Sequence, residues 1–453
     1  MSIHPIDYRY GSQEIREIFK EEKKLEYQLK VESALSETLA EFGIIPKSSA
    51  QIIKKRANLK FVKLKRVKEI EKKVKHEVVA LVLALSEVCG KAKKYVHLTA
   101  TSYDILDTAL ALQLKEATKI LLKKGKKLLK VCLKICQSYK DLIMVGRTHG
   151  QHALPITLGF KFANFTHQIG ESLIRIRENQ KYILGKFSGA VGTQASQRIL
   201  NLPEDFEDKL LKKLNLKKAE ISTQVVAREN LARVLADIVI LAGTLEKIAK
   251  EIRNLQRTEI FEIAEPFSEK QVGSSAMPQK RNPWQSENIC SNVKIIRSCI
   301  LPCLENIALE HERDLTNSAA ERTILPTIFV LMDDILERMT KILENLDVFP
   351  ENMEKNLKLS KGRIFAEAIL SQLVKKGAER QKSHQLLKEL SFKAEREKRE
   401  FKEVLMESKE IQKYLSQKEI EKVLQPENYL GFAIKKTEKI IKKWNSFLRQ
   451  ICL

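Results

Sequence analysis

The chain has 453 residues, with 81 Lys and Arg against 58 Asp and Glu, a formal net charge of +23. That length exceeds one ordinary domain and can bury a large core. No apolar run nears the roughly 20 residues that span a bilayer, and the opening Met1-Ser-Ile-His-Pro5 lacks a signal-peptide core, so a soluble, cytoplasmic protein is expected. The basic excess fits either nucleic acid or a Lys-rich surface around a polyanionic substrate. No nucleic-acid module is present and aromatics, at 6%, are too sparse for a stacking platform, so solvated helix faces are the expected reading. Only 16 Gly and 11 Pro interrupt the Lys/Glu/Leu/Ile-rich runs, which predicts helix nearly throughout. Seven cysteines, an odd count in a large chain, predict reduced thiols. Cys132/Cys136 and Cys299/Cys303 are i, i+4 pairs; without a His or a second pair at zinc-site spacing, buried apolar thiols are expected in place of a metal site.

From the N-terminus, Tyr8-Arg-Tyr-Gly11 precedes helical but broken chain up to Val96, with a basic stretch, Lys54–Lys75, leading into Lys75-His76-Glu77. His97-Leu-Thr-Ala-Thr-Ser-Tyr-Asp104 then runs into Ile105-Leu-Asp-Thr-Ala109. Thr101 and Ser102 suit the capping of a helix, a role compatible with ligand contact. A seam of Leu110, Leu114, Ala117, Leu121, Leu128, Cys132 and Ile135 follows, with Gly125 in its middle. Gly146-Arg-Thr-His-Gly150 continues through Gln151-His152-Ala-Leu-Pro155 into an apolar helix; the flanking glycines let the polar triplet be presented at an element's end. A lone His is more often structural than catalytic, so this segment alone is a weak signal. A second seam, Leu231, Val234, Ile238, Leu241, Leu245, Ile248, Ile252 and Leu255, steps by three and four over about 37 Å at 1.5 Å per residue. Two such seams predict a bundle of long helices, not a compact α/β domain.

Residues 273–283 read Gly-Ser-Ser-Ala-Met-Pro-Gln-Lys-Arg-Asn-Pro. Gly273 and Pro283 favour a loop between them. Asn282-Pro283 reads as a helix start, with Asn as N-cap, Pro at the first helical position and Gln285 as capping-box partner. Hydroxyls and cations thus precede a helix N-terminus, where anions are favoured. On spacing alone, an anion-binding loop without chemistry is the alternative. Further on, His311-Glu-Arg-Asp-Leu-Thr-Asn-Ser-Ala-Ala-Glu-Arg322 sets Arg313, Ser318 and Arg322 in one polar run. Arginine suits bidentate pairing with phosphate or carboxylate, and surface salt bridging is the alternative. Beyond about Pro350, shorter helices are separated near Gly362, Gly377, Pro426 and Gly431. The expected division is an N-terminal helical domain, 1–101, a central long-helix domain, 102–350, holding the loop 266–283, and a C-terminal helical domain, 351–453.

Residues 273–283 fill every fixed position of G-S-S-x-M-P-x-K-x-N-P, and so resemble the signature loop of the fumarase/aspartase superfamily, whose members eliminate fumarate from succinyl-bearing substrates. Within it, 97–109 resembles H-x-G-x-T-S-x-D-x-x-D-T-A, 146–157 resembles G-R-T-H-G-Q-x-A-x-P-x-T, and 311–322 resembles H-E-R-D-x-x-x-S-S-x-E-R, the forms taken in adenylosuccinate lyases. The opening Ile3–Gly11 is similar to the archaeal type. The resemblance implies an all-α, three-domain fold with a long central helical bundle shared in a homotetramer, and active sites shared between subunits. Its implied reaction is release of fumarate from adenylosuccinate, giving AMP, and from the succinylated aminoimidazole carboxamide ribotide of purine biosynthesis. It implies no metal or organic cofactor, small-molecule nucleotide substrates, no membrane and no nucleic-acid partner.

Carried residue by residue, the resemblance makes Ser274 the general base, with the helix N-terminus and Lys280 stabilising its alkoxide. His149 becomes the general acid, held by Glu287, while Lys280 and Asn282 stabilise developing negative charge. Substrate contacts fall to Arg9, Tyr10, Lys75, His76, Glu77, His97, Thr101, Ser102, Gln224, Ser275, Asn282, Arg313, Ser318 and Arg322. Lys75 and Glu77 depart from an Arg-His-Asp triplet, Thr99 from a Gly, Tyr103 from a small residue and Ala319 from a Ser. Gln279 replaces a His or Tyr and is shared with argininosuccinate lyases, the runner-up. A structural or RNA-binding protein on a retired lyase scaffold is the reading from another class; intact Ser274, Lys280, His149 and Glu287 speak against it.

Overall fold

The computed structural model describes residues 4–267, 273 and 275–450. Long helices dominate, chiefly Glu21–Glu41, Ser102–Ser138, Leu158–Asn179, Arg228–Leu255 and Thr316–Glu344. Sheet structure among the described residues is confined to two-stranded pairs, the longest being the antiparallel hairpin Ile143–Thr148 with Gln151–Thr157. The expected all-α class holds. No helix among these residues is long and apolar enough to cross a membrane. The chain divides into two compact units, one of 1–125, 171–245 and 289–338, the other of 126–170, 246–288 and 339–453.

In the first unit, Leu114, Ala117 and Leu121 are buried, as are Leu231, Val234, Ile238, Leu241 and Leu245, so both predicted seams face a core. Gly125 sits where the Leu158–Asn179 helix crosses: a Cβ there would lie 2.3 Å from Leu173 Cδ2. The glycine that interrupts the seam is the one that permits this approach. Buried ion pairs among the described residues of this core include Lys186 with Asp104 at 2.5 Å and Arg228 with Asp107 and Glu321 at 2.9 and 2.7 Å.

In the second unit the seams continue through Leu128, Cys132 and Ile135 and through Ile248, Ile252 and Leu255, all buried. A separate apolar cluster, including Ile369, Leu373, Phe401, Leu405 and Ile411, organises the C-terminal helices. Trp444 is fully buried against Gly170, where a Cβ would come within 2.5 Å of the indole. Of the two cysteine pairs, one here and one in the first unit, three thiols are buried as expected. Cys132, Cys136 and Cys303 are buried and Cys299 half-buried, and burial pushes Cys136 up to about 11 and Cys303 to about 12.

Candidate active site

Most of the predicted substrate contacts fall in the first unit. His76 precedes the Glu77–Val88 helix and caps it, its Nδ1 accepting from Val79 N–H at 3.3 Å. That leaves the proton of a neutral ring on Nε2, which faces Ser102 Oγ at 3.5 Å, the outer limit of a hydrogen bond. Lys75 ends the preceding helix in a left-handed conformation (φ 55) and is exposed. Glu77 is held by Lys24 at 2.7 Å and Gln28 at 2.9 Å. Burial disfavours its charge, but Lys24 prevails and holds the carboxyl below the usual range.

His97 sits at φ 63, gripped from behind by Glu32, whose Oε1 lies 2.6 Å from Nδ1 while Oε2 accepts the His97 backbone N–H at 3.2 Å. Burial works against charge on this imidazole; the Glu32 hydrogen bond and charge, with Asp104 beyond, outweigh it and raise the ring above its ordinary range. Thr101 occupies the N-cap position of the Ser102–Ser138 helix, and its N–H donates to Asp104 at 2.8 Å, one half of a capping box. Asp104 also accepts from Lys186 Nζ and from the N–H groups of Ser188 and Gly189, all at 2.5–3.2 Å. The 97–104 segment is therefore pinned from two sides.

Two departures from the family pattern acquire physical content here. Thr99, standing for a Gly, has φ 70, a left-handed conformation unfavourable for a β-branched residue. Its carbonyl is held by Ser196 Oγ at 3.1 Å and Gln197 Nε2 at 3.3 Å. Tyr103, bulkier than usual, is a buried platform: the Arg313 guanidinium lies 3.9 Å from its ring centroid. Arg313 Nη1 also donates to Gln224 Oε1 at 2.8 Å, and Gln224 Nε2 to Ala190 O at 3.0 Å. Gln224, Arg313 and Tyr103 are thus linked in series, with Ser102 the residue before Tyr103. Ser318, Arg322, Glu77 and Tyr103 line one cavity of 260 Å³. Arg9 and Tyr10 close a turn onto Pro5 O, anchored where Gly11 and Ser12 donate to Asp334 and Asp333.

The second unit holds the proposed proton-transfer residues. Thr148 pairs with Gln151, leaving His149 and Gly150 as a two-residue hairpin loop with φ 53 and 74. Two positive φ values define a type I′ turn, so the imidazole is presented, exposed, at the hairpin tip. Beneath it Arg147 forms a two-pronged pair with buried Glu262 at 2.9 and 2.7 Å. His152, on the same hairpin, is lowered by burial and by Arg147.

Lys280, Arg281, Asn282 and Glu287 line a cleft of 990 Å³ with Lys250, Arg253 and Arg257. Ser275 and Lys280 are exposed. Ser274 lies outside the described residues. One expectation fails. The helix runs Trp284–Ser298 and its first carbonyl acceptor is that of Pro283, so Asn282 is not the N-cap. Asn282 Nδ2 donates instead to Gly273 O at 2.9 Å, tying the two ends of the loop. The helix-start N–H groups of Gln285 and Ser286 are taken by the Glu265 carboxylate at 3.2 and 2.5 Å. Gln285 is therefore no capping-box partner. A carboxylate fills the anion site at this N-terminus, and it comes from outside the loop. Glu287 is exposed, 4.0 Å from Arg253, and His149 has no hydrogen bond to any described residue of its own chain.

Sequence reasoning did not single out Glu32, Lys186, Gln256, Glu262 or Glu265. Glu32 lies 65 positions from His97, with no local signal. Glu262 and Glu265 had one: two acidic residues spaced by three before Pro266, immediately ahead of the loop.

A helical bundle with these two sets of polar side chains defines a lyase of the fumarase/aspartase type. The sequence profile of the family described as "Lyase" matches residues 7–296, and that of "Adenylosuccinate lyase C-terminus" matches 362–440. The adenylosuccinate lyase of Pyrococcus horikoshii is 47% identical over 443 residues, covering 98% of each chain. That of Methanocaldococcus jannaschii is 44% identical over 98% of this chain and 96% of its own. Among solved structures, a fumarate lyase from Mesorhizobium sp. BNC1 superposes with a TM-score of 0.87 at 29% identity, covering 95% of this chain and 98% of the other. A 3-carboxy-cis,cis-muconate lactonizing enzyme from Pseudomonas putida gives 0.87 at 28%, over 98% and 99%. The chain belongs to the adenylosuccinate lyase family.

Proposed function

We propose that the protein releases fumarate from adenylosuccinate, leaving AMP, and from the succinylated aminoimidazole carboxamide ribotide, leaving the free carboxamide. The observation that carries this is the cation-lined cleft formed with residues 277–283, the end of the intact signature sequence 273–283, in a chain of this family. In the elimination a C–N bond breaks, a proton leaves the adjacent carbon, and charge spreads into the neighbouring carboxylate. His149 donates to the departing nitrogen, aided by Glu287, and Ser274 takes the carbon-bound proton. Since Glu265 occupies the helix N-terminus, stabilisation of the serine oxygen falls to Lys280. Lys280 and Asn282 also stabilise the carbanionic charge.

Substrate anions are held by His76, His97, Arg313 and Arg322, with Arg9, Tyr10, Lys75, Glu77, Thr101, Ser102, Gln224, Ser275 and Ser318 completing the contacts. Among the described residues Glu287 has no histidine partner, its ion pair being with Arg253, which favours active sites built from several subunits of a homotetramer. Exposed Ile240, Ile295, Leu301, Leu304 and Leu315 supply apolar surface for such contacts. The three segments divided near residues 101 and 350 belong to the same proposal. The direct test is fumarate absorbance on incubation with each purine substrate and with argininosuccinate. Release from the first two alone is expected; release from argininosuccinate alone refutes the assignment.

A pH dependence follows from Glu32. Because the folded-state pKa of His97 is raised, its charge is complete below the ordinary value of about 6.5 and is lost as pH rises through the folded value. KM for an anionic substrate is therefore expected to climb on the alkaline side. In Glu32→Gln the ring loses its carboxylate, and the climb starts at lower pH. An unchanged KM profile in that variant sets His97 aside as an anion contact.

A further inference from the structure

Two carboxylates on one short buried segment, Glu262-Ile-Ala-Glu265, reach different parts of the proposed machinery. Glu262 is fully buried and Glu265 is 5% exposed. Ile263 and Ala264 between them pair antiparallel with Val348 and Asp347, which fixes these two residues as strand. The acids that flank the strand take different partners.

On one side, Glu262 takes both prongs of Arg147, at 2.9 and 2.7 Å, and Asn356 Nδ2 at 2.9 Å. Arg147 lies on the strand that leads into the hairpin turn, two positions before His149, so the Glu262 grip fixes the strand end from which the imidazole is presented. On the other side, Glu265 accepts from Gln285 and Ser286 N–H at the start of the helix that bears Glu287. Its own N–H donates to Gln256 Oε1 at 2.9 Å, and Gln256 Nε2 donates to Arg281 O at 3.1 Å. The two stems of the loop that carries Lys280 and Asn282 are thus tied to one another through Gln256 and Glu265.

Stability alone does not call for such residues, because buried ion pairs are often matched or bettered by apolar side chains of similar volume. We infer that Glu262 and Glu265 are positioning residues of the lyase reaction, Glu262 setting the His149 turn through Arg147 and Glu265 setting the Glu287 helix and the loop stems. This rests on the reaction proposed above. Neither acid touches substrate; each acts through the group it holds. In a Gln at 262 the amide N–H would face the Arg147 N–H groups, donor against donor, and the grip is lost. At 265 a Gln can accept only one of the two helix-start N–H groups.

The test is a pair of double-mutant cycles on kcat and KM with adenylosuccinate, Glu262→Gln against His149→Ala and Glu265→Gln against Glu287→Gln, each variant checked by thermal melting. In the wild-type background each Gln variant is expected to lower kcat on the order of 100-fold with little change in KM. In the His149→Ala background Glu262→Gln is expected to cost nothing further, since the group it positions is already gone; in the Glu287→Gln background Glu265→Gln is expected to cost clearly less than in the wild type, because only the loop stems remain for it to set. A general structural lesion costs the same factor in both backgrounds, and that result overturns the inference. Should Glu262→Gln not fold, Arg147→Lys reads the same contact, keeping the charge while losing the fork; wild-type kcat in a folded Arg147→Lys protein also overturns it. A wild-type enzyme that releases no fumarate would instead refute the proposed reaction, an outcome distinct from either.

Discussion

Ser274→Ala and His149→Ala are each expected to lower kcat by on the order of 10²–10⁴-fold, the range typical of removing a positioned proton donor or acceptor. His149 lends itself to a clean experiment. Its side chain is exposed and hydrogen-bonds no described residue of its own chain, so its loss removes no hydrogen bond among the described residues. Its φ of 53 is already occupied by a residue with a Cβ, so Ala brings no new backbone strain. Folding stability should therefore stay within about 0.5 kcal/mol, as for other surface substitutions. Thermal melting and steady-state fumarate release check the two halves of this expectation. Mixing the two variants after dissociation and reassociation adds a stricter reading. If sites draw residues from several subunits, some mixed sites hold both an intact Ser274 and an intact His149, and activity absent from either parent returns. Near-normal turnover in either single variant would refute the assignment.

Local pattern carried the fold well. Heptad spacing at Leu231–Leu255 needs only the 3.6-residue period, and every one of those side chains is buried. Gly125, in the middle of its seam, marks the close crossing of Leu173. Thr99 and Tyr103 stood out as departures, and each has a structural counterpart in a left-handed backbone and a platform for Arg313. What local pattern could not reach was tertiary partnership. Asn282-Pro283 has the form of a capped helix start, but capping preferences compare only the residues beside the helix. Here the carboxylate of Glu265, some 20 positions away, satisfies the same N–H groups and releases Asn282 to tie the loop. Glu32 behind His97 is hidden for the same reason. The side chains proposed to meet substrate were chosen from local motifs, whereas the groups that hold them or their neighbours, such as Glu32 and Glu262, come from distant sequence.

The largest effect on stability is expected at Arg228. Its guanidinium is 5% exposed and serves two buried carboxylates: Asp107 through Nη1 and Nη2, both at 2.9 Å, and Glu321 through Nε at 2.7 Å. Each carboxylate has further partners, Val226 N–H on Asp107 and Asn317 Nδ2 on Glu321. Those neutral donors do not balance the charge. Arg228→Leu leaves two acids in the core without a cation, and breaking a buried pair in this way costs about 3–5 kcal/mol. Arg228→Lys should lose less, because a charge remains while the fork that spans both acids does not. The deficit should also depend on pH. Burial already raises the Glu321 carboxyl in spite of Arg228. Without the cation its folded-state pKa rises further above the unfolded value, so the folded variant binds the extra proton as pH falls and regains stability. The gap to wild type in urea midpoint is therefore expected to be widest at neutral pH and to narrow toward acid. A gap that stays constant with pH would mean the loss is one of packing, with Asp107 and Glu321 finding their compensation in Val226 and Asn317 after all.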